Sequence, residues 1–343
     1  MLALLVALVV AGRVSDHAGR KRVLAVALAV QLVGMVVFLL ADGTGWLILA
    51  RTIQGLATGL ATSTLSAALL DTEPRPGIGS VVASAAPLLG LSGGALGAAV
   101  LVDAGPDPRH FVFWLLTGVY AVAFLALLRL PEPLRPDGAW RAALRPRVAV
   151  PRDVRATFVA VAPCLVATWS LGGLYLSLGP SLTALLTGSD SHVVAGLVVV
   201  ALMGTGGITA AASRGLKAER LMLGGAGSVM AGVAVTLVAV ATRSTVLLLL
   251  GSFVAGIGFG PAFAGVLRVL TGRIAAHERA GLMSAVYVVS YTAFSVPAVV
   301  AGVAETQFGL RPTALVYGAA VILLAATATV AFTRQLRERP VTA

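Results

Sequence analysis

Residues 12–22, GRVSDHAGRKR, place one acidic and four basic side chains between two strongly apolar segments of a 343-residue chain. The apolar segments on either side cover residues 1–11 and 23–41. Short charged stretches between long apolar runs are typical of proteins that cross a membrane several times. The rest of the chain repeats this pattern, so the fold is decided by how many such runs there are and how long they are.

The composition is that of a membrane protein, with 58% hydrophobic and 11% charged residues and a mean hydropathy of +0.96. A helix needs about 20 apolar residues to cross a hydrocarbon core of about 30 Å, and ten of the eleven apolar segments are that long. Barrel strands would be about half this length and would alternate in polarity, so the segments predict an all-α polytopic membrane fold. The segments cover residues 1–11, 23–41, 46–70, 78–102, 111–130, 157–186, 193–212, 221–241, 246–269, 282–304 and 313–332.

The distribution of the 25 cations predicts the orientation, because positively charged loops stay on the cytoplasmic side. If the segments alternate and the loop with Arg20 lies inside, 21 cations are inside, Arg51 lies within a segment, and only Arg109, Arg243 and Arg311 are outside. Orientation therefore explains the formal charge of +11, and a nucleic-acid partner is not needed. The expected location is a cell membrane, most simply the bacterial cytoplasmic membrane.

Reactive side chains are scarce. Cys164 is the single cysteine, which excludes an intramolecular disulfide and a cysteine metal cluster. The four histidines lie in four different loops, and no segment carries paired carboxylates or a Ser/His/Asp set. The sequence therefore predicts neither an enzyme nor a metal site, and no cofactor.

An arginine- and proline-rich stretch, residues 129–155, divides the chain into five segments before it and six after it. The predicted domains are an N-terminal helical bundle (1–130), a cytoplasmic linker (131–155), a C-terminal six-helix bundle (156–333) and a cytoplasmic tail (334–343). The two halves share a Gly-x-x-x-Gly pair at an offset of 201 residues, Gly55 and Gly59 against Gly256 and Gly260. This offset indicates a weak internal repeat.

The charged stretch at the start of the chain resembles a motif of the major facilitator superfamily. Its match to the G-x-x-x-D-x-x-G-R-[RK] loop between the second and third helices consists of Gly12, Asp16, Gly19, Arg20, Lys21 and Arg22. The resemblance implies a latch that closes the cytoplasmic side in one state, formed by Asp16 and Arg20. It also implies that a first helix and the outer half of a second precede position 1, and we expect the upstream DNA to encode them.

Residues 50–59, ARTIQGLATG, resemble the fourth-helix motif of the same family. At 100° per residue the polar positions fall on one side of the helix, which predicts a side that faces a cavity. The stripe consists of Arg51, Gln54, Gly55, Thr58, Thr62 and Ser66. The resemblance implies that Arg51 takes part in proton coupling or substrate binding, and the alternative is that its long side chain reaches the membrane interface.

Residues 86–97 partly resemble the fifth-helix motif of family antiporters, with Pro87, Gly90, Gly93 and Gly94 retained and Ala86 in place of a glycine. Close helix packing explains these glycines almost as well.

In the second half, the glycine pairs and Gly179-Pro180 predict a broken helix. Tyr175, Tyr287 and Tyr291 are candidates to line a substrate cavity, although packing in an aromatic core explains them equally well.

Together these features predict a secondary-active transporter that works by alternating access. The resemblance implies proton-coupled efflux of a drug-like or other small organic molecule, with the proton gradient as the energy source. The expected partners are that substrate, protons and the lipid bilayer, and the protein is expected to be a monomer. The alternative is a transporter-like membrane scaffold or receptor that does not transport.

Overall fold

A computed structural model describes residues 2–72, 78–107, 110–132, 148–188, 191–272, 274 and 278–338. Most of the predicted linker and the last five residues of the predicted tail lie outside these ranges. The described residues form α-helices, one short 3₁₀ turn at Arg152–Val154 and a π-helical turn at Val200–Gly204. The predicted all-helical fold is confirmed.

The α-helices follow one another with short connections. In chain order they are α1 (Leu2–Ala18), α2 (Arg20–Leu39), α3 (Thr44–Asp71), α4 (Ile78–Ala104), α5 (Phe111–Arg129), α6 (Arg155–Ser177), α7 (Gly179–Thr187), α8 (His192–Val199), α9 (Thr205–Ala212), α10 (Ala218–Thr242), α11 (Thr245–Thr271), α12 (Arg279–Phe308) and α13 (Leu310–Arg337).

Within the described ranges, nine helical stretches are both long enough and apolar enough to cross a membrane. One of them combines α8, the π-helical turn and α9 into a single span over residues 192–212. Helix α3 is not among the nine although it has 28 residues. The hydropathy of α3 is lowered by its threonines and serines and by Arg51 and Gln54. Segment length alone therefore gave ten crossing segments in the sequence, whereas the described part of the structure has nine.

The charged stretch at residues 12–22 is not a loop, contrary to the sequence-based expectation. Helix α1 continues through Gly12 to Ala18, and α2 begins at Arg20. Only Gly19 leaves the helical conformation, with φ of 100°, a backbone region that glycine enters without steric cost. The glycine-assisted turn is therefore confined to one residue, and Gly12 is an ordinary helical position.

The chain divides into two compact units. The first contains residues 1–83, 104–149 and 280–287. Within it, α3 packs closely against α1 at Gly59, where an added Cβ would overlap Leu4 and Ala7. Helix α2 also packs on α3, with Gly34 of α2 in contact with Ile53 and Gln54 of α3. Because glycine has no side chain, Gly59 and Gly34 allow the backbones of α1, α2 and α3 to lie close together, as is common for helices in lipid.

The second unit contains residues 84–103, 150–279 and 288–343. Helix α11 packs on the 192–212 span at Gly256 and Gly260, where an added Cβ would overlap backbone atoms of Leu202 and Gly206. Helix α10 packs on α11, with Gly232 against Ala255. The Gly-x-x-x-Gly pairs of the two halves therefore make equivalent helix contacts, which supports the repeat with an offset of 201 residues.

The predicted break near Gly179-Pro180 is confirmed, because α6 ends at Ser177 and α7 begins at Gly179. The glycine pair Gly172-Gly173, by contrast, stays within α6. Gly173 allows α12 to approach, since a Cβ there would overlap the carbonyl oxygen of Phe294. These glycines are packing positions, and the proline region alone interrupts the helix.

Candidate functional site

The predicted latch residues form an ion-pair cluster at the joint between α1 and α2. The guanidinium of Arg20 contacts the Asp16 carboxylate at 2.5 Å and donates from Nε to Asp71 Oδ2 at 3.0 Å. It also donates to Ser15 Oγ at 2.6 Å. The Arg20 side chain is only 8% exposed, against 48% for Asp16 and 37% for Asp71. One buried cation thus joins the end of α1 to the end of α3.

Lys21 and Arg22 take different positions in this cluster. Lys21 Nζ donates to the carbonyl oxygens of Leu128 and Leu130, at 2.8 and 2.7 Å, where the last turn of α5 has carbonyls without helical partners. Its backbone N–H donates to Glu132 Oε1 at 3.2 Å. Arg22 is exposed. The cluster therefore connects the ends of α1, α3 and α5 around the start of α2.

Arg51 lies about 10 Å along α3 from its first residue, near the end predicted to face outside. Its Nη1 donates to Gln54 Oε1 at 2.8 Å, and its guanidinium carbon lies 5.1 Å from the centre of the Phe38 ring. Phe38 in turn stacks on Phe113, with ring centres 4.8 Å apart. The residue is exposed, and a cation held over an aromatic face in this way keeps a fixed position without burial.

The rest of the predicted stripe on α3 divides into two kinds of position. Gly55 packs against α1, where an added Cβ would lie 3.4 Å from the Leu4 nitrogen. Thr58 and Thr62 are half-buried, and the Thr62 hydroxyl donates to the Thr58 carbonyl at 2.8 Å. Gly55 is thus placed as a packing residue, while Arg51 and Gln54 present the polar groups.

The antiporter-like residues lie on α4, which continues through Pro87 without a break. Gly90, Gly93 and Gly94 are exposed, and nothing lies within 4 Å of a Cβ added at any of them. In contrast, Ser92 on the other side of the helix is buried against Gly204. The structure therefore places these glycines on an open face of α4 and not in a close helix contact.

The three candidate tyrosines lie on two helices, Tyr175 on α6 and the other two on α12. Tyr175 is 3% exposed, in the core of the second unit. Its hydroxyl lies 3.1 Å from Thr236 Oγ1 and accepts from Ser252 Oγ at 3.0 Å. Tyr175 and Thr236 also line a small internal cavity of about 20 Å³, and a role of Tyr175 in a substrate cavity stays a prediction. Tyr287 and Tyr291 are half-buried and one turn apart on α12.

Tyr291 belongs to an aromatic cluster that brings together α6, α11 and α12 and is centred on Trp169. The ring of Trp169 lies 4.9 Å from that of Tyr291, 5.4 Å from that of Phe263 and 6.3 Å from that of Phe294. All four rings are half-buried. Trp169 is about 21 Å along α6 and Tyr291 about 18 Å along α12 from the helix ends predicted to be cytoplasmic, which is the depth expected near the middle of a membrane.

Some of these residues were missed in the sequence. Asp71 and Glu132 are acids at the predicted cytoplasmic ends of segments, on the side where the basic stretch lies, and that shared side was the available signal. Phe294 follows Tyr287 and Tyr291 at helical spacing, and that spacing was the available signal. Phe263 had no comparable signal. In the described part of the chain, no group of three His, Cys, Asp or Glu could hold a metal ion.

Comparisons with known proteins agree with this architecture. The family model of the Major Facilitator Superfamily matches residues 1–298. No curated protein matches the chain in sequence. Among solved structures, the human organic anion transporter MFSD10 (TETRAN) is similar with a TM-score of 0.74 and 15% identity, over 95% of this chain and 81% of that one. This likeness shows the fold, and the family match covers well over half of the chain. The protein therefore belongs to the Major Facilitator Superfamily and is a multi-pass membrane transporter.

Proposed function

We propose that this protein exports a drug-like or other small organic molecule with an aromatic or broad apolar surface, in exchange for protons. The observation that carries the proposal is the aromatic cluster around Trp169. Half-buried rings near the middle of the membrane offer flat, polarisable faces that stack on aromatic or apolar ligands. Tyr291 adds one hydroxyl for orientation.

Proton coupling is assigned to the first unit. Arg51 is a cation within residues 46–70, a segment that the sequence predicts to cross the membrane. Such residues mark ion or substrate pathways because charge is costly in lipid. Gln54 and Phe38 hold its guanidinium in place. A fixed cation lowers the pKa of any titratable group that approaches it, because the positive charge disfavours the bound proton. Proton binding and substrate binding close to Arg51 can then exclude each other.

The substrate need not be a cation. The acids on the described spanning helices lie near their ends, as with Asp103, Glu219 and Glu305, and the aromatic cluster itself contains no acid. The similar structure is that of an organic anion transporter. Neutral and anionic aromatic compounds therefore belong in the first substrate panel together with cationic dyes. The expected membrane is the bacterial cytoplasmic membrane, and the expected state is a monomer.

The test is transport by the purified chain in proteoliposomes with an imposed pH gradient. We expect flux of an aromatic substrate that collapses when the gradient is dissipated. Trp169→Ala should reduce the apparent substrate affinity at least tenfold, because it removes the ring that the other three contact. Trp114→Ala is the matched control, since Trp114 is 63% exposed on α5.

The results separate the alternatives. Gradient-independent flux would exclude proton coupling but keep transport. Equal effects of the two tryptophan variants would remove the aromatic cluster as the substrate site. A chain that binds the compounds and gives no flux under any gradient would favour the scaffold or receptor alternative.

A further inference from the structure

The second unit contains a groove of about 600 Å³ between α6, α12 and α13. It follows α12 from Pro297 to Phe308 and α13 from Pro312 to Leu324. These stretches are about 16 and 18 Å long, and each reaches the helix end predicted to lie outside. The groove therefore has the length of one leaflet of a bilayer whose hydrocarbon core is about 30 Å thick.

The walls of the groove are apolar, and its few hydroxyl groups are already bonded to the protein. Tyr317 donates to the Ser170 carbonyl at 2.8 Å, Ser170 Oγ donates to the Ala293 carbonyl at 3.0 Å, and Thr313 Oγ1 donates to the Gly309 carbonyl at 2.8 Å. A polar ligand would lose hydrogen bonds to water and gain few here. The part of a ligand that enters this groove must be apolar.

The groove opens sideways and not only at its end. Val300, Val316 and Phe308 on its rim are 61%, 72% and 74% exposed. Large apolar side chains with this exposure on membrane-spanning helices face hydrocarbon. A ligand can therefore enter the groove from the bilayer.

Positive charge lies beside the outer end of the groove, although no cation is among the described residues that line its walls. Arg311 immediately precedes Pro312, and its Nη2 donates to the Ala241 carbonyl at 2.7 Å, which brings the start of α13 beside the end of α10. Arg243 follows two residues after Ala241. Two of the three cations predicted to lie outside are thus at this end. Glu305 lies in the last turn of α12, so an acid is also present near this end, and a guanidinium matches the geometry of phosphate oxygens.

We propose that this groove binds a glycerophospholipid of the outer leaflet, with one acyl chain between α12 and α13 and its phosphate at Arg311. The length, the apolar walls, the lateral opening and the terminal cations each match a different part of such a lipid. This site is separate from the aromatic cluster, and the proposal holds whether or not the protein couples transport to protons.

Native mass spectrometry of the purified full chain, titrated with a dioleoyl phospholipid, tests the proposal. We expect one lipid to bind more tightly than all others. Ala320→Trp, which places a large ring inside the groove, should reduce its affinity at least tenfold. Ala319→Trp is the matched control, because Ala319 is exposed on the same helix and does not line the groove. Arg311→Gln should reduce the affinity several-fold for phospholipids and leave binding of diacylglycerol, which lacks the phosphate, unchanged.

Each outcome decides the matter. Equal loss in the Ala319 and Ala320 variants, with unchanged melting temperatures, would overturn the assignment of the groove. Equal affinity for phospholipid and diacylglycerol would overturn the role of Arg311. Competition between the lipid and an aromatic transport substrate would show that the groove is a substrate entrance and would overturn the lipid assignment. A variant that fails to fold is replaced by Ala304→Phe, which fills the same groove from α12.

Discussion

Helices α3 and α11 hold equivalent places in the two halves, yet they carry opposite kinds of chemistry. Their Gly-x-x-x-Gly pairs align at an offset of 201 residues, and both pack on a preceding helix. At the same offset, Arg51 corresponds to Ser252, which is fully buried and bonded to Tyr175. This difference indicates that the glycines determine the helix packing, whereas other positions of the two helices are able to diverge.

The first prediction concerns the glycine contact that α3 and α11 share, and its removal should have the largest effect. Gly59→Leu and Gly260→Leu should each abolish or strongly reduce the yield of folded protein, because the new side chain would overlap a neighbouring helix backbone. Size-exclusion profiles and thermal melting in detergent provide the measurement. Gly118→Leu is the control, since nothing lies within 4 Å of a Cβ there. Normal melting of Gly59→Leu would contradict the close packing of α3 on α1.

The second prediction compares the aligned residues Arg51 and Ser252, one of which we expect to act in transport and the other in stability. Arg51→Ala should reduce proton-driven transport at least tenfold with a nearly unchanged melting temperature, because Arg51 is exposed and contacts the core only at the face of the Phe38 ring. Ser252→Ala should retain transport within about twofold while lowering stability by about 1 kcal/mol, because a buried hydrogen bond is lost. Flux and melting are measured on both variants. If Arg51→Ala transports at the normal rate, its side chain only reaches the membrane interface.

The sequence was informative where a feature depends on neighbouring residues. Apolar run length predicted the spanning helices, and the offset of 201 residues predicted the equivalent glycine contacts. It was less informative where a partner comes from far along the chain. The position of Tyr175 depends on Thr236 and Ser252, which contact it from other helices. Likewise, nothing in residues 12–22 showed that only Gly19 would interrupt the helix, because glycine and aspartate at other positions are tolerated within helices.

The third prediction concerns the ion-pair cluster around Arg20, whose aspartate and second glycine are not repeated in the sequence of the second half. Asp16→Asn should slow the transport cycle several-fold and leave the substrate Kd unchanged, because a latch acts on the equilibrium between inward- and outward-facing states. Asp16 is half-exposed, whereas Arg20 keeps its bonds to Asp71 and Ser15, so the fold should persist. Pre-steady-state flux and equilibrium binding distinguish the two quantities. Weaker binding with normal turnover would count against the latch.

The smallest effect is expected from Tyr175→Phe, which tests whether the hydroxyl network of the second half is structural. The variant keeps the ring that fills the core and removes only the hydroxyl. Thr236 and Ser252 retain their hydrogen bonds to the carbonyls of Gly232 and Leu248, at 3.0 and 2.7 Å, so neither hydroxyl is left without a partner. Side-chain hydrogen bonds between membrane helices contribute about 0.6 kcal/mol on average. We therefore expect a slightly lower melting temperature and transport within about twofold of the unmodified protein. A large loss of transport with normal melting would place the Tyr175 hydroxyl in the transport pathway, and the two halves would then both carry polar groups needed for function.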